Sequence, residues 1–123
     1  MQLLWIGFGG FFGAIARHVL STWVQRWAPL AFPLGTLAVN VVGCFALGVL
    51  MAWLERGAPP GLRPALGVGF LGALTTFSTF GYETLELLRK GEALLAAASV
   101  GANVVVGLGA VWLGVTLVDA LAA

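Results

Sequence analysis

Charge is the scarcest feature of this 123-residue chain. Asp, Glu, Lys and Arg together make up 9% of it, against about 25% in a soluble globular domain. No carboxylate precedes Glu55. Cysteine occurs once, at Cys44, so an intramolecular disulfide is excluded. His18 is the single histidine, and no Cys or Asp clusters with it to complete a transition-metal site. Nucleophile–base pairs are absent and no connection is long enough for a catalytic apparatus, so an enzyme is disfavoured. A net charge of +1 with no basic tail gives no reason to expect a nucleic-acid partner.

What is there is hydrophobic. Apolar residues make up 60% of the chain and the mean hydropathy is +1.02. A spanning helix needs about 20 mainly apolar residues, and four runs qualify: about 3–27, 34–54, 66–88 and 93–118. They predict one all-α integral membrane domain over residues 1–123. Pro29, Pro33, Pro59, Pro60 and Pro64 fall in the first two connections, as expected of helix ends. Trp5, Trp23, Trp27 and Trp53 sit near run ends, where an aromatic belt belongs. No Lys or Arg precedes the first run, which is too long for the apolar core of a cleaved signal peptide. Gly7, Gly10 and Gly13 recur at three-residue spacing, a signal for close helix packing.

Polar residues inside the runs carry the functional information. The third run places Thr75, Thr76, Ser78 and Thr79 within five residues, between Gly69, Gly72 and Gly81. Glycine costs roughly 1 kcal/mol in a helix interior and threonine is below average there. Hydroxyls also offer backbone groups an alternative to the helical ladder. Two readings follow: an intact helix whose hydroxyls bond their own preceding turn, or a broken helix whose freed carbonyls coordinate a cation. Irregular backbone at membrane depth survives only where protein buries it or a wet cavity borders it. Thr36, Asn40 and Cys44, at four-residue spacing, share a face of the second run. Ser99, Asn103, Gly107, Ala110 and Gly114 form a small-and-polar seam on the fourth. The two asparagines fit interhelical glue or one shared polar pathway. Arg17 lies roughly 21 Å along the first helix, at about 1.5 Å per residue. It either snorkels to an interface or borders an aqueous vestibule; His18 reads as interfacial and Cys44 as a buried, inert thiol. Phe77 and Phe80 share a face if the backbone there is helical. They are either core packing or ring edges, positive by their quadrupole, that hold a small anion.

Four runs put both termini and the 55–65 connection on one side. Arg56, Arg63 and the terminal amine lie there, against Arg26, Arg89 and Lys90 on the other, where Arg17 counts only if it reaches that interface. The basic bias that orients membrane proteins is nearly absent. Such a chain can insert both ways, and two opposed copies form an antiparallel homodimer.

These features resemble the small fluoride channels called Fluc or CrcB. The resemblance rests on Gly9-Gly10-Phe11-Phe12-Gly13-Ala14-Ile15-Ala16-Arg17, on Pro33 to Gly43, on Thr75-Thr76-Phe77-Ser78-Thr79-Phe80 with Glu83, and on Asn103 to Gly107 before Ala110-Val111-Trp112-Leu113-Gly114. The hexapeptide is the most specific of these blocks. The resemblance implies a dual-topology antiparallel dimer in the cell (inner or plasma) membrane, with two pores that passively export cytoplasmic fluoride. It implies a third helix broken at mid-membrane and a structural sodium ion at the dimer axis, held by the carbonyls of Gly72 and Thr75. Asn40, Phe77, Phe80, Ser78, Thr79 and Asn103 then line the anion pathway, Arg17 its vestibule, and Thr36 and Glu83 lie near it. The family commonly has serine where this chain has Asn103, and tyrosine where it has Ser99 and His18. The competing class is a small dual-topology multidrug exporter, similar in length and span number. Proton-coupled members depend on an acidic residue in the first helix, which this chain lacks.

Overall fold

The computed structural model describes residues 1–28 and 31–123; Pro29, assigned above to the first connection, lies outside them. The described chain is helical, with four helices long and apolar enough to cross a membrane: Gln2–Trp27, Leu34–Glu55, Arg63–Arg89 and Ala93–Leu121. The first ends at Ala28, whose backbone is extended. A residue that precedes proline is pushed out of the helical region. The third helix begins at Arg63, three residues before the expected 66, and takes Pro64 into its first turn. The pattern placed every proline outside the helices. Pro64 is an exception because a first-turn N–H has no helical partner to lose.

The third helix reverses into the fourth through a tight cap. The N–H of Glu92 donates to the Leu87 carbonyl at 2.8 Å and that of Gly91 to Leu88 at 3.1 Å. Gly91 takes φ 77°, a left-handed conformation that glycine adopts without a Cβ clash. The halves on either side of this turn, Phe77–Arg89 and Ala93–Gly101, therefore pack as an antiparallel pair.

The first helix lies along the first half of the third, and the second helix lies along Gly107–Leu121. At the first of these interfaces the contact glycines are Gly9 and Gly13. A Cβ on either would meet the backbone, at Ala65 and at Phe70 respectively, whereas Gly7 has open space and Gly10 only a distant neighbour. The three-residue glycine series thus gives way to a four-residue one, because residues four apart stack along one helical face. Leu50, Leu71 and Leu74 form the buried apolar cluster, with Ala46 and Phe70 against it. Large side chains such as Leu3, Phe8, Phe11 and Leu108 point outward, as they do where the surrounding solvent is hydrocarbon. At one end Arg56 pairs with Asp119 at 2.7 Å. This ties the second connection to the end of the fourth helix, on the side where helix counting placed both.

Two stretches are wound more widely than an α-helix. Arg63–Leu71 and Ala102–Val106 are π-helical, the second carrying Asn103. Single π turns occur often at functional sites, and this one widens the fourth helix where it passes the interruption in the third.

Candidate functional site

The third helix is interrupted at two residues. Thr75 has φ −80° and ψ 155°, Thr76 has φ −148° and ψ 121°, and the helix resumes at Phe77. Asn40 holds this extended link from the second helix. Its Oδ1 accepts from the Thr76 N–H at 2.8 Å, and its Nδ2 donates to the Thr76 carbonyl at 3.1 Å. One side-chain amide thus satisfies both backbone groups of the residue that leaves the ladder. The second Nδ2 proton goes to Asn103 Oδ1 at 2.8 Å. Asn103 Nδ2 in turn donates to the Ser99 carbonyl at 2.9 Å.

The resumed helix is capped by Thr76, whose Oγ1 accepts from the Thr79 N–H at 3.3 Å. Thr75 and Thr84 bond their own preceding turns, Oγ1 to Leu71 at 3.1 Å and to Phe80 at 2.8 Å. The helix is therefore interrupted, although Thr75 still bonds its own preceding turn as a hydroxyl in an intact helix would. In the sequence Thr76 carries a cap signal of its own, a threonine three residues before Thr79 at the start of a helical run.

A cavity of about 320 Å³ borders the break, lined among others by Asn40, Gly72, Thr75, Phe77, Phe80 and Asn103. These six, expected from the resemblance to line the pathway or to hold the cation, meet in it, and Thr76 borders it too. Cys44 lines it as well and is half-buried rather than buried. Phe77 and Phe80 stand edge-to-face, with centroids 5.5 Å apart and planes at 64°. Their environments differ sharply: Phe77 is 82% exposed and Phe80 is 9% exposed. Among the described residues, no Asp, Glu, Lys, Arg or His lines this cavity.

The other candidates lie elsewhere. Arg17 and His18 line a separate crevice of about 260 Å³, with Ser21, Thr36 and Thr79, on which Thr76 also borders. Arg17 makes no ion pair among the described residues. Thr36 Oγ1 donates to Glu83 Oε1 at 3.0 Å, while Glu83 Oε2 is buried and has no partner among the described residues. Ser78 is exposed and borders neither space. Ser99 is fully buried and its hydroxyl oxygen has no partner among the described residues. Gln25 went unnoticed in the sequence: it clamps the first connection, donating to the Phe32 carbonyl at 3.1 Å and accepting from the Gly35 N–H at 3.0 Å.

Residues 4–115 match the family described as "CrcB-like protein, Camphor Resistance (CrcB)". This chain belongs to the CrcB-like family. A relative of this CrcB-like protein in Geotalea uraniireducens (strain Rf4) is 47% identical over 121 residues, covering 97% of this chain and 98% of the relative. One in Geobacter metallireducens is 46% identical, covering 94% of each. One in Acidobacterium capsulatum is 40% identical, covering 95% of each. All three carry the name fluoride-specific ion channel FluC. The CrcB-like chain is thus a multi-pass membrane protein in which Asn40, Asn103, Phe77 and Phe80 border one interrupted helix.

Proposed function

We propose that this chain is a fluoride channel that lets cytoplasmic fluoride leave passively through the cell membrane, and so limits its toxicity. The observation that carries this reading is the cavity at the break: two aromatic rings and two amides, without a formal charge. A dehydrated anion in a membrane needs partners at each step, while throughput needs those partners to be weak. Ring edges and the remaining amide N–H of Asn103 supply that combination. The exposed ring of Phe77 suits a wall shared with a second copy. The route is proposed to run along Asn40, Phe77, Phe80, Ser78, Thr79 and Asn103, with Arg17 at its vestibule and Thr36 and Glu83 nearby. The exporter alternative is not favoured, since no acidic residue precedes Glu55.

The active unit is proposed to be an antiparallel, dual-topology homodimer, with the break at mid-membrane. A structural sodium ion is proposed at its axis. The residues fit such an ion. Gly72 and Thr75 both border the cavity, and among the described residues no donor is assigned to the Thr75 carbonyl. Carbonyl oxygens without carboxylates suit a hard monovalent cation better than a divalent one.

The channel reading is tested by anion efflux from liposomes that hold the purified protein. Fluoride is expected to leave at least about tenfold faster than chloride at equal gradients; equal rates, or no protein-dependent fluoride efflux, refute it. The topology reading follows from the even spread of basic residues. Two or three lysines appended after Ala123 are expected to force one orientation and abolish efflux, with recovery when an oppositely fixed copy is co-expressed. A reporter at Ala123 found on one face only, in the unmodified protein, refutes dual insertion.

A further inference from the structure

The break raises a question about donors. In a continuous α-helix each N–H bonds the carbonyl four residues before it. The Thr76 N–H would therefore close on Gly72, and the Thr79 N–H on Thr75. Neither does so. The Thr76 N–H goes to Asn40 Oδ1 at 2.8 Å, and the Thr79 N–H goes to Thr76 Oγ1 at 3.3 Å. The N–H of Thr75 does not substitute at Gly72 either; it keeps its regular bond to Leu71 at 3.1 Å. So two side-chain acceptors draw away the two donors that would saturate the carbonyls of Gly72 and Thr75.

We propose that Asn40 and the Thr76 hydroxyl are positioning groups for the cation site: they keep these two carbonyls free to coordinate. The proposal rests on the reading that Gly72 and Thr75 hold a monovalent cation, and it adds the residues that make their oxygens available. Peptide planarity gives Asn40 a second lever. The Thr76 N–H and the Thr75 carbonyl belong to one trans peptide unit and point in opposite directions. Fixing the N–H toward the second helix therefore aims the Thr75 carbonyl away from it. Asn40 has no proton left over for this task or another, because Thr76 and Asn103 take both. It acts on the cavity through the backbone it holds. Asn103 differs: its Nδ2 makes one bond among the described residues, to Ser99. Its second N–H is the amide proton available to an anion.

The test uses Thr76→Val, which keeps the branched shape and removes the acceptor, beside Thr76→Ser, which keeps the acceptor. The purified full-length proteins are titrated with sodium against N-methylglucamine at constant ionic strength, and the sodium concentration that half-restores thermal stability is read. Fluoride efflux is measured in parallel. Wild type and Thr76→Ser are expected to agree within about threefold, and Thr76→Val to need at least tenfold more sodium. A packing role for Thr76 would lower the melting temperature without moving that midpoint. A Thr76→Val midpoint equal to wild type overturns the proposal alone. A wild type indifferent to sodium, with fluoride efflux intact, removes the cation site and the proposal together and leaves the channel reading standing. If Thr76→Val does not fold, Thr76→Ala removes the same acceptor, and its midpoint decides by the same criterion.

Discussion

Asn40→Asp is expected to lower fluoride flux by at least about 100-fold in protein that still assembles. Two effects act together. The carboxylate has no N–H, so the Thr76 carbonyl and Asn103 Oδ1, bonded at 3.1 and 2.8 Å in the native chain, would face an oxygen instead of a donor. Leaving a buried acceptor unpaired costs about 1–3 kcal/mol. The negative charge also sits on the cavity wall. At roughly 4 Å and an effective dielectric near 20, it repels a passing anion by about 4 kcal/mol, close to a thousandfold in occupancy. Flux from reconstituted Asn40→Asp, with dimerisation checked by crosslinking, measures the outcome. Flux within about threefold of wild type would remove Asn40 from both the pathway and the break.

Phe77→Ile and Phe80→Ile should each lose at least about nine-tenths of fluoride flux. Isoleucine keeps the apolar bulk and removes the ring quadrupole, whose positive edge is the weak site offered to an anion. The two rings are 5.5 Å apart, so each substitution also removes the edge-to-face partner of the other. Their stabilities should separate where their fluxes do not. Phe77 is 82% exposed in the single chain, and its replacement should alter the folding of that chain by less than about 0.5 kcal/mol. Phe80 is 9% exposed, and its replacement should cost about 1 kcal/mol or more through imperfect filling. Efflux assays read the fluxes, and thermal melts of the protein held monomeric in detergent read the single-chain stabilities. Wild-type flux in both variants would return the pair to ordinary packing.

Much of this molecule is written in one dimension. The four long apolar helices appear within a few residues of their expected limits, because excluding 20 or so residues from water needs an uninterrupted apolar run. The third helix was expected either intact or broken; the hydroxyls and glycines marked the place, and the extended pair is Thr75 and Thr76. Asn40 and Asn103, which pattern alone left as glue or shared pathway, meet at 2.8 Å. Other expectations moved once helices faced each other. Gly9 and Gly13, not the series from Gly7 through Gly10, carry the close contact. Arg17 and Thr79 border a different space from Asn40 and Phe80. Ser78, though inside the hexapeptide, is exposed and borders neither.

The sequence by itself determined that this chain crosses a membrane, how many times, and where its helix is weakest. Hydropathy, proline placement and local propensity are properties of short segments, and short segments can be read without knowing their neighbours. Only the tertiary structure decided what replaces the lost helical bonds. Asn40 lies 36 residues from Thr76 and 63 from Asn103, and nothing local specifies that its amide fits the gap. That fit depends on how the second helix is rotated against the third, and Asn103 meets the same amide from a π-helical turn of the fourth. A buried backbone N–H must find a partner somewhere. Which partner it finds is settled by packing.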